Sequence, residues 1–274
     1  MSPDEIRARR MRAQRLHGRA ASSPEEVVRL LGAVQAQELA FAKWSVAQRA
    51  GATRERDVDR LLADGAILRT HVLRPTWHFV LPEDIRWMLA LTGPRILAGA
   101  RARYRELGLD ARTLSGAMDV VAGALEGGRH RTRKELGEEL RRRRIDPDGQ
   151  RLPWLLGHAE LEGLVCSGAP TGKQQTYALL DERAPDAKEL DEEEALRELA
   201  HRYFASHGPA TVNDFTWWSS LTAAQARRGL ELNEDRLTSG EVDGRTYWFE
   251  PGRARPRTAS PNAALVQVYD ESVV

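Results

Sequence analysis

The chain has one cysteine, Cys166, in 274 residues. That excludes an internal disulfide and every zinc site built from several cysteines. The seven histidines include no HExxH-type pair, so a metal centre is not expected. Long apolar runs are also missing. No stretch of about 18 apolar residues occurs, and the N-terminal MSPDEIRARRMRAQRL has no apolar core of the signal-peptide kind, so the sequence predicts a cytoplasmic protein without membrane association. Lysine is scarce too. Lys43, Lys134, Lys173 and Lys188 are the only ones, so nearly all positive charge is arginine although the formal net charge is only +1.

Arginine presents a planar fork that suits phosphate and guanine edges. It gathers at Arg7–Arg15, Arg101–Arg105, Arg129–Arg133, Arg141–Arg144 and Arg253–Arg257. Interleaved with glutamate, such runs serve equally as solvated helix faces.

Apolar residues make up 41% of the chain, ample for packed cores in two or three small domains. The expected fold is mainly α with small β wings (α+β), arranged as three tandem winged-helix motifs. In the middle stretch, helices at Met118–Leu125, Thr132–Arg143 and Leu152–Glu162, the last ended by Gly163, precede a hairpin of Leu164–Cys166 and Gln175–Leu180. The last stretch repeats the plan: helices at Glu192–Ser206, Thr211–Ser219 and Thr222–Leu230, then a wing turning at Asp243-Gly244. At the front, helices at Pro3–Leu16, Pro24–Leu31, Leu39–Ala50 and Arg56–Ala63 precede strands Ala66–Val72 and Thr76–Leu81, and helices Pro82–Ala90 and Pro94–Leu107 lead onward. The acid-rich Asp181–Glu198 begins as a linker. The expected divisions are 1–108, 109–184, 185–252, and 253–274 as the start of a C-terminal region that is truncated.

Winged helices bind nucleic acid by laying the third helix in a groove while the wing touches backbone or minor groove. Fold does not settle function, and a non-catalytic DNA-binding regulator or a protein-interaction scaffold uses the same frame. The residues with the most chemical information are Gln35 and Gln37, in the stretch LLGAVQAQ. In a helix a spacing of two turns side chains about 200° apart, whereas an extended or turning segment puts both on one face. A pair acting together therefore belongs where a helix ends. The competing reading is that the two amides cap that helix or bond the backbone of the next turn.

In the front wing, RTHVLRPTWHFV at 69–80, alternation puts Thr76 and His78 on one face, outward, and Trp77 and Phe79 on the other, inward. Arg69, Arg74, Thr76 and His78 are candidate DNA contacts from this wing, with Arg74 the best placed. His78 has an equal reading as a structural histidine. Arg141 and Arg143 are candidate backbone contacts from the middle stretch. Of Trp217 and Trp218, at least one is expected in the core rather than on a stacking platform.

Together VQAQ, RTHVLRPTWHFV and HGPATVNDFTWWSSL at 207–221 resemble the winged-helix family of AlkZ/YcaQ-type DNA glycosylases, over nearly the whole chain. Its members excise alkylated purines and unhook interstrand crosslinks. The resemblance implies a monofunctional glycosylase hydrolysing the N-glycosidic bond of N7-alkylated purines, with no cofactor. It implies a partner that is double-stranded DNA carrying such purines or crosslinks, a monomeric state and a bacterial, nucleoid-associated site of action. The family's catalytic Gln-x-Gln or Gln-x-Asp motif maps onto Gln35, Ala36 and Gln37, with Gln37 placing the water and Gln35 its partner. Glu38, adjacent, points elsewhere. The chain departs from the family pattern at 269–274, where YDESVV stands in place of an FDEY-like segment that leads into a further β-rich domain; an inactive, truncated member and a regulator that kept the scaffold are the alternatives.

Overall fold

A computed structural model describes residues 1–252 and 264–273; the arginine cluster Arg253–Arg257 lies outside them. The described residues run α1 (Pro3–Ala13), α2 (Pro24–Leu31), β1 (Val34–Gln35), α3 (Leu39–Arg49), α4 (Glu55–Asp64), β2 (Leu68–His71), β3 (Trp77–Val80) and α5 (Ile85–Glu106). They continue α6 (Ala111–Leu125), β4 (Arg131–Thr132), α7 (Arg133–Arg142), α8 (Arg151–Leu161), β5 (Val165–Ser167), β6 (Thr176–Leu179) and α9 (Leu180–Arg183). Last come α10 (Glu192–Ser206), α11 (Val212–Ser219), α12 (Ala223–Glu231), β7 (Thr238–Val242) and β8 (Arg245–Phe249). The fold is mostly helical with small antiparallel sheets, and no helix among the described residues is long and apolar enough to cross a membrane.

Contacts divide the chain into two compact units. One comprises Met1–Val58, His78–Val80 and Leu190–Val274, the other Asp59–Trp77 and Leu81–Glu189.

In the second unit, α6, α7 and α8 enclose a core of Val121, Leu125, Leu136, Leu156, Ala159, Val165 and Tyr177, and Tyr104 and Ala100 of α5 join Leu140 and Leu155 in an adjoining cluster. The start of α7 is fixed locally. Thr132 accepts from the Glu135 N–H while the Glu135 carboxylate accepts from the Thr132 N–H, a reciprocal cap. The hairpin β5–β6 extends to β4 in the order β4–β6–β5. Two expected helices, Pro82–Ala90 and Pro94–Leu107, are one helix, α5, with Pro94 inside it. Proline removes one helical hydrogen bond, but the buried stripe Met88, Thr92, Ile96, Ala100 and Tyr104 runs on past it, so packing carries the helix through.

In the first unit, Thr211 and Thr222 cap α11 and α12, each by a reciprocal box. The β7–β8 turn places Asp243 and Gly244 at φ 49° and 72°, the left-handed pair that a two-residue hairpin requires. Gly208 has no room for a side chain: a Cβ there would lie 2.2 Å from the Phe204 carbonyl oxygen. Two residues on, Ala210 bridges to Trp248 of β8 through both backbone bonds, at 3.0 and 2.7 Å. Tyr203, Phe204, Phe215 and Trp218 form the aromatic centre of this unit, with Tyr203 5.0 Å from both Phe215 and Trp218 between ring centroids.

Candidate active site

The glutamine pair sits where a helix ends. α2 stops at Leu31, and Gly32 takes φ 82°, a left-handed conformation that an L side chain adopts only with strain. The chain then extends through β1, and Gln37 lies in the bend before α3. Since α2 is closed by Gly32, Gln35 is a strand residue and not its cap. β1 pairs antiparallel with β3, Val34 opposite Phe79 and Gln35 opposite His78. Gln35 is 7% exposed and Gln37 half-buried. Glu38 begins α3 as an exposed residue whose carboxylate makes no capping bond.

Behind this segment lies a buried polar cluster that sequence reasoning did not find. The Glu271 carboxylate accepts from the Gln35 backbone N–H at 2.7 Å and from the Trp218 indole N–H at 2.8 Å. His207 Nε2 stands 3.4 Å from the same carboxylate, outside hydrogen-bonding geometry, and its ring stacks on Tyr203 at 4.7 Å. Next to Glu271, Asp270 receives both amino groups of Arg49 at 2.7 Å, and the Ser45 hydroxyl at 2.7 Å. Arg49 also donates to the Gln14 carbonyl at 2.9 Å and the Gln14 side-chain oxygen at 3.0 Å. Burial alone would raise the Asp270 pKa, but the Arg49 hydrogen bonds and charge, with Ser45 and Ser272, outweigh it and hold the carboxyl at about 2. Asp270 and Glu271 of the YDESVV stretch are thus buried, Glu271 against the Gln35 backbone and Asp270 against Arg49. Their signal in the sequence was an adjacent acid pair matched by no nearby base, with the partners Arg49 and Trp218 far away in the chain.

The remaining candidates are distributed. His78 is fully buried, not outward as alternation suggested: His78, Phe79 and Val80 are consecutively buried, so this strand is covered on both faces and the two-residue alternation does not apply. It belongs beside Gln35. Trp77, expected inward, is half-exposed. Its indole N–H donates to Glu160 at 3.0 Å, the Arg69 guanidinium lies over its ring at 4.3 Å, and His71 meets the same Glu160 at 2.5 Å. Arg74 and Thr76 are half-buried at a turn whose Leu73 has φ 64° and donates its N–H to Thr92 Oγ1 at 3.1 Å. Arg141 and Arg143 are exposed; Arg141 pairs with Asp148. Of the two tryptophans, Trp218 is fully buried and Trp217 is 56% exposed.

Comparison with known proteins fits this architecture. Residues 28–274 match the family described as DNA glycosylase AlkZ-like. A Streptomyces sahachiroi protein named interstrand DNA cross-link repair glycosylase is 29% identical over 251 residues, covering 88% of this chain and 67% of that protein. The solved structure of the Streptomyces sahachiroi DNA glycosylase AlkZ superposes with a TM-score of 0.76 at 28% identity, over 92% of this chain and 70% of that one. With the family model spanning nearly all of it, the chain belongs to the AlkZ-like DNA glycosylases, hydrolases of N-glycosyl bonds.

Proposed function

We propose that this protein excises N7-alkylated purines from double-stranded DNA and acts on interstrand crosslinks joined through such bases, with Gln35 and Gln37 as its catalytic residues. The observation that carries this reading is the placement of the pair: a strand residue and the bend after it, the strand residue held by a buried carboxylate through its backbone N–H at 2.7 Å.

Alkylation at N7 leaves the purine cationic. Its glycosidic bond is weakened, and no strong acid is required to protonate the leaving base. Water attacks the anomeric carbon, the C1′–N9 bond breaks with its electron pair passing to the base, and the proton of the water goes to solvent. The protein's work is then to place the water and to stabilise the cationic sugar with carbonyl dipoles, which carboxamides suit. Gln37 positions the water and Gln35 supports it. The name of the Streptomyces sahachiroi relative supports crosslinks as the wider substrate class.

Such chemistry requires the target base to leave the stack. Phe41 and Trp44 are 44% and 53% exposed on α3, which begins two residues after Gln37. They offer an aromatic face for an unstacked purine. Arg69, Arg74, Thr76, Arg141 and Arg143 are proposed as contacts to the duplex backbone, and the protein as a monomer organised in three winged helices.

The experiment is direct. Purified protein is incubated with duplex carrying one N7-methylguanine and then heated in mild alkali; strand breaks at the lesion are expected. Binding without breaks would replace this reading with that of a regulator. A duplex with one interstrand crosslink, run on a denaturing gel, is expected to release separated strands.

A further inference from the structure

Glu271 is 1% exposed, and its carboxylate accepts a hydrogen bond from the backbone of the catalytic segment at 2.7 Å. We propose that Glu271 is a positioning residue of this active site, fixing the Gln35 peptide and through it the direction of Gln37. This rests on the reading of the glutamine pair given above.

β1 is two residues long, and a ladder that short fixes little by itself. The Gln35 N–H donates instead to Glu271 Oε1 at 2.7 Å. The other oxygen accepts the Trp218 indole N–H at 2.8 Å, so rotation of the carboxylate is stopped by an aromatic that is itself fully buried. Trp218 also meets the segment from another side: its ring edge lies 3.7 Å from where a Cβ on Gly32 would stand. The Glu271 main chain is tied as well. Its carbonyl accepts from the Gln14 amide at 3.0 Å, and the preceding Asp270 is gripped by Arg49 at 2.7 Å through both oxygens. The clamp therefore draws on the end of α1, on α3 and on α11, all in one compact unit.

A carboxylate is the group this place demands. Two N–H donors bond to it at 2.7 and 2.8 Å, with His207 Nε2 3.4 Å away, and a carboxylate accepts on both oxygens, whereas a carboxamide accepts only on its oxygen and donates from its nitrogen. In Glu271→Gln either the Gln35 or the Trp218 N–H meets an amide hydrogen. Since a displacement of about 1 Å at a catalytic group can cost a factor of about 100 in rate, tilting this peptide slows the reaction without touching DNA affinity.

The test is single-turnover excision of N7-methylguanine from duplex, with the dissociation constant for the same duplex measured alongside. Glu271→Gln is expected to lower the rate by tenfold or more with the dissociation constant unchanged. Adding Trp218→Phe, which removes the donor that faces the new amide, is expected to restore part of the rate, a rescue that a merely structural role does not give. Gln37→Ala inactive beside fully active Glu271→Gln overturns this inference alone; so does rate falling in step with DNA affinity. Gln37→Ala at full activity overturns the glutamine reading and this one with it. If Glu271→Gln does not fold, the Gln35 amide of the wild-type protein decides by NMR: a strongly downfield, exchange-protected signal supports the clamp, and an unprotected one overturns it.

Discussion

Arg49 holds both carboxylate oxygens of Asp270 at 2.7 Å where neither side chain is exposed to solvent. The two residues are 221 positions apart, so this ion pair fastens the last described segment to α3. Removing one partner leaves the other charge buried and unpaired, which typically costs about 3–5 kcal/mol. Asp270→Asn is expected to destabilise the protein by that order in urea denaturation; a change below about 1 kcal/mol would contradict the account of this pair.

Acid should undo the same contact. Asp270 is held at about 2 against an ordinary 3.8, so between these values the unfolded chain binds the proton and the folded one does not. The stability this contributes, roughly 2 kcal/mol, is present above about pH 4 and is lost as pH falls toward 2. Unfolding free energy measured across that window should fall more steeply in the wild type than in Asp270→Asn; equal slopes would refute the assignment.

Arg74, half-buried at the turn of the front wing, is the phosphate contact proposed for that wing. Arg74→Ala is expected to weaken duplex binding several-fold, equally for damaged and undamaged DNA, and to reduce the slope of log affinity against log salt by about 1. Arg141, already paired with Asp148, should matter less. Fluorescence anisotropy at several salt concentrations measures both, and an unchanged slope for Arg74→Ala removes it from the interface.

Trp44 should act on the lesion rather than on the duplex. Stacking on an aromatic contributes about 1–3 kcal/mol per base, so Trp44→Ala is expected to slow excision by roughly 10- to 100-fold while affinity for undamaged duplex stays the same. Loss of affinity for both kinds of DNA in equal measure would place Trp44 on a general binding face.

Local chemistry made much of this fold legible. Thr132, Thr211 and Thr222, where helices were expected to start, are the N-caps of those helices, and Asp243-Gly244 turns the last hairpin, because each signal is contained within a few residues. The errors came from tertiary packing. Pro94 looked like a boundary, yet α5 continues through it because the buried stripe does. His78 looked exposed by alternation, yet its strand is buried on successive residues. Asp270 and Glu271 carried no readable role, because the groups that give them one, Arg49, Trp218 and the Gln35 backbone, come together only when the chain is folded. The glutamine pair stood out by its spacing, and its catalytic role came from the resemblance to a family. Its expected setting, past the end of a helix, is where Gly32 and β1 put it.

The central claim is that Gln37, held in place beside Gln35, positions the water that releases the base. Single-turnover excision of N7-methylguanine by Gln37→Ala, compared with the wild type at matched fold and matched DNA affinity, tests it most directly. The account predicts a rate lower by about 100-fold or more; a rate within twofold of the wild type would contradict it.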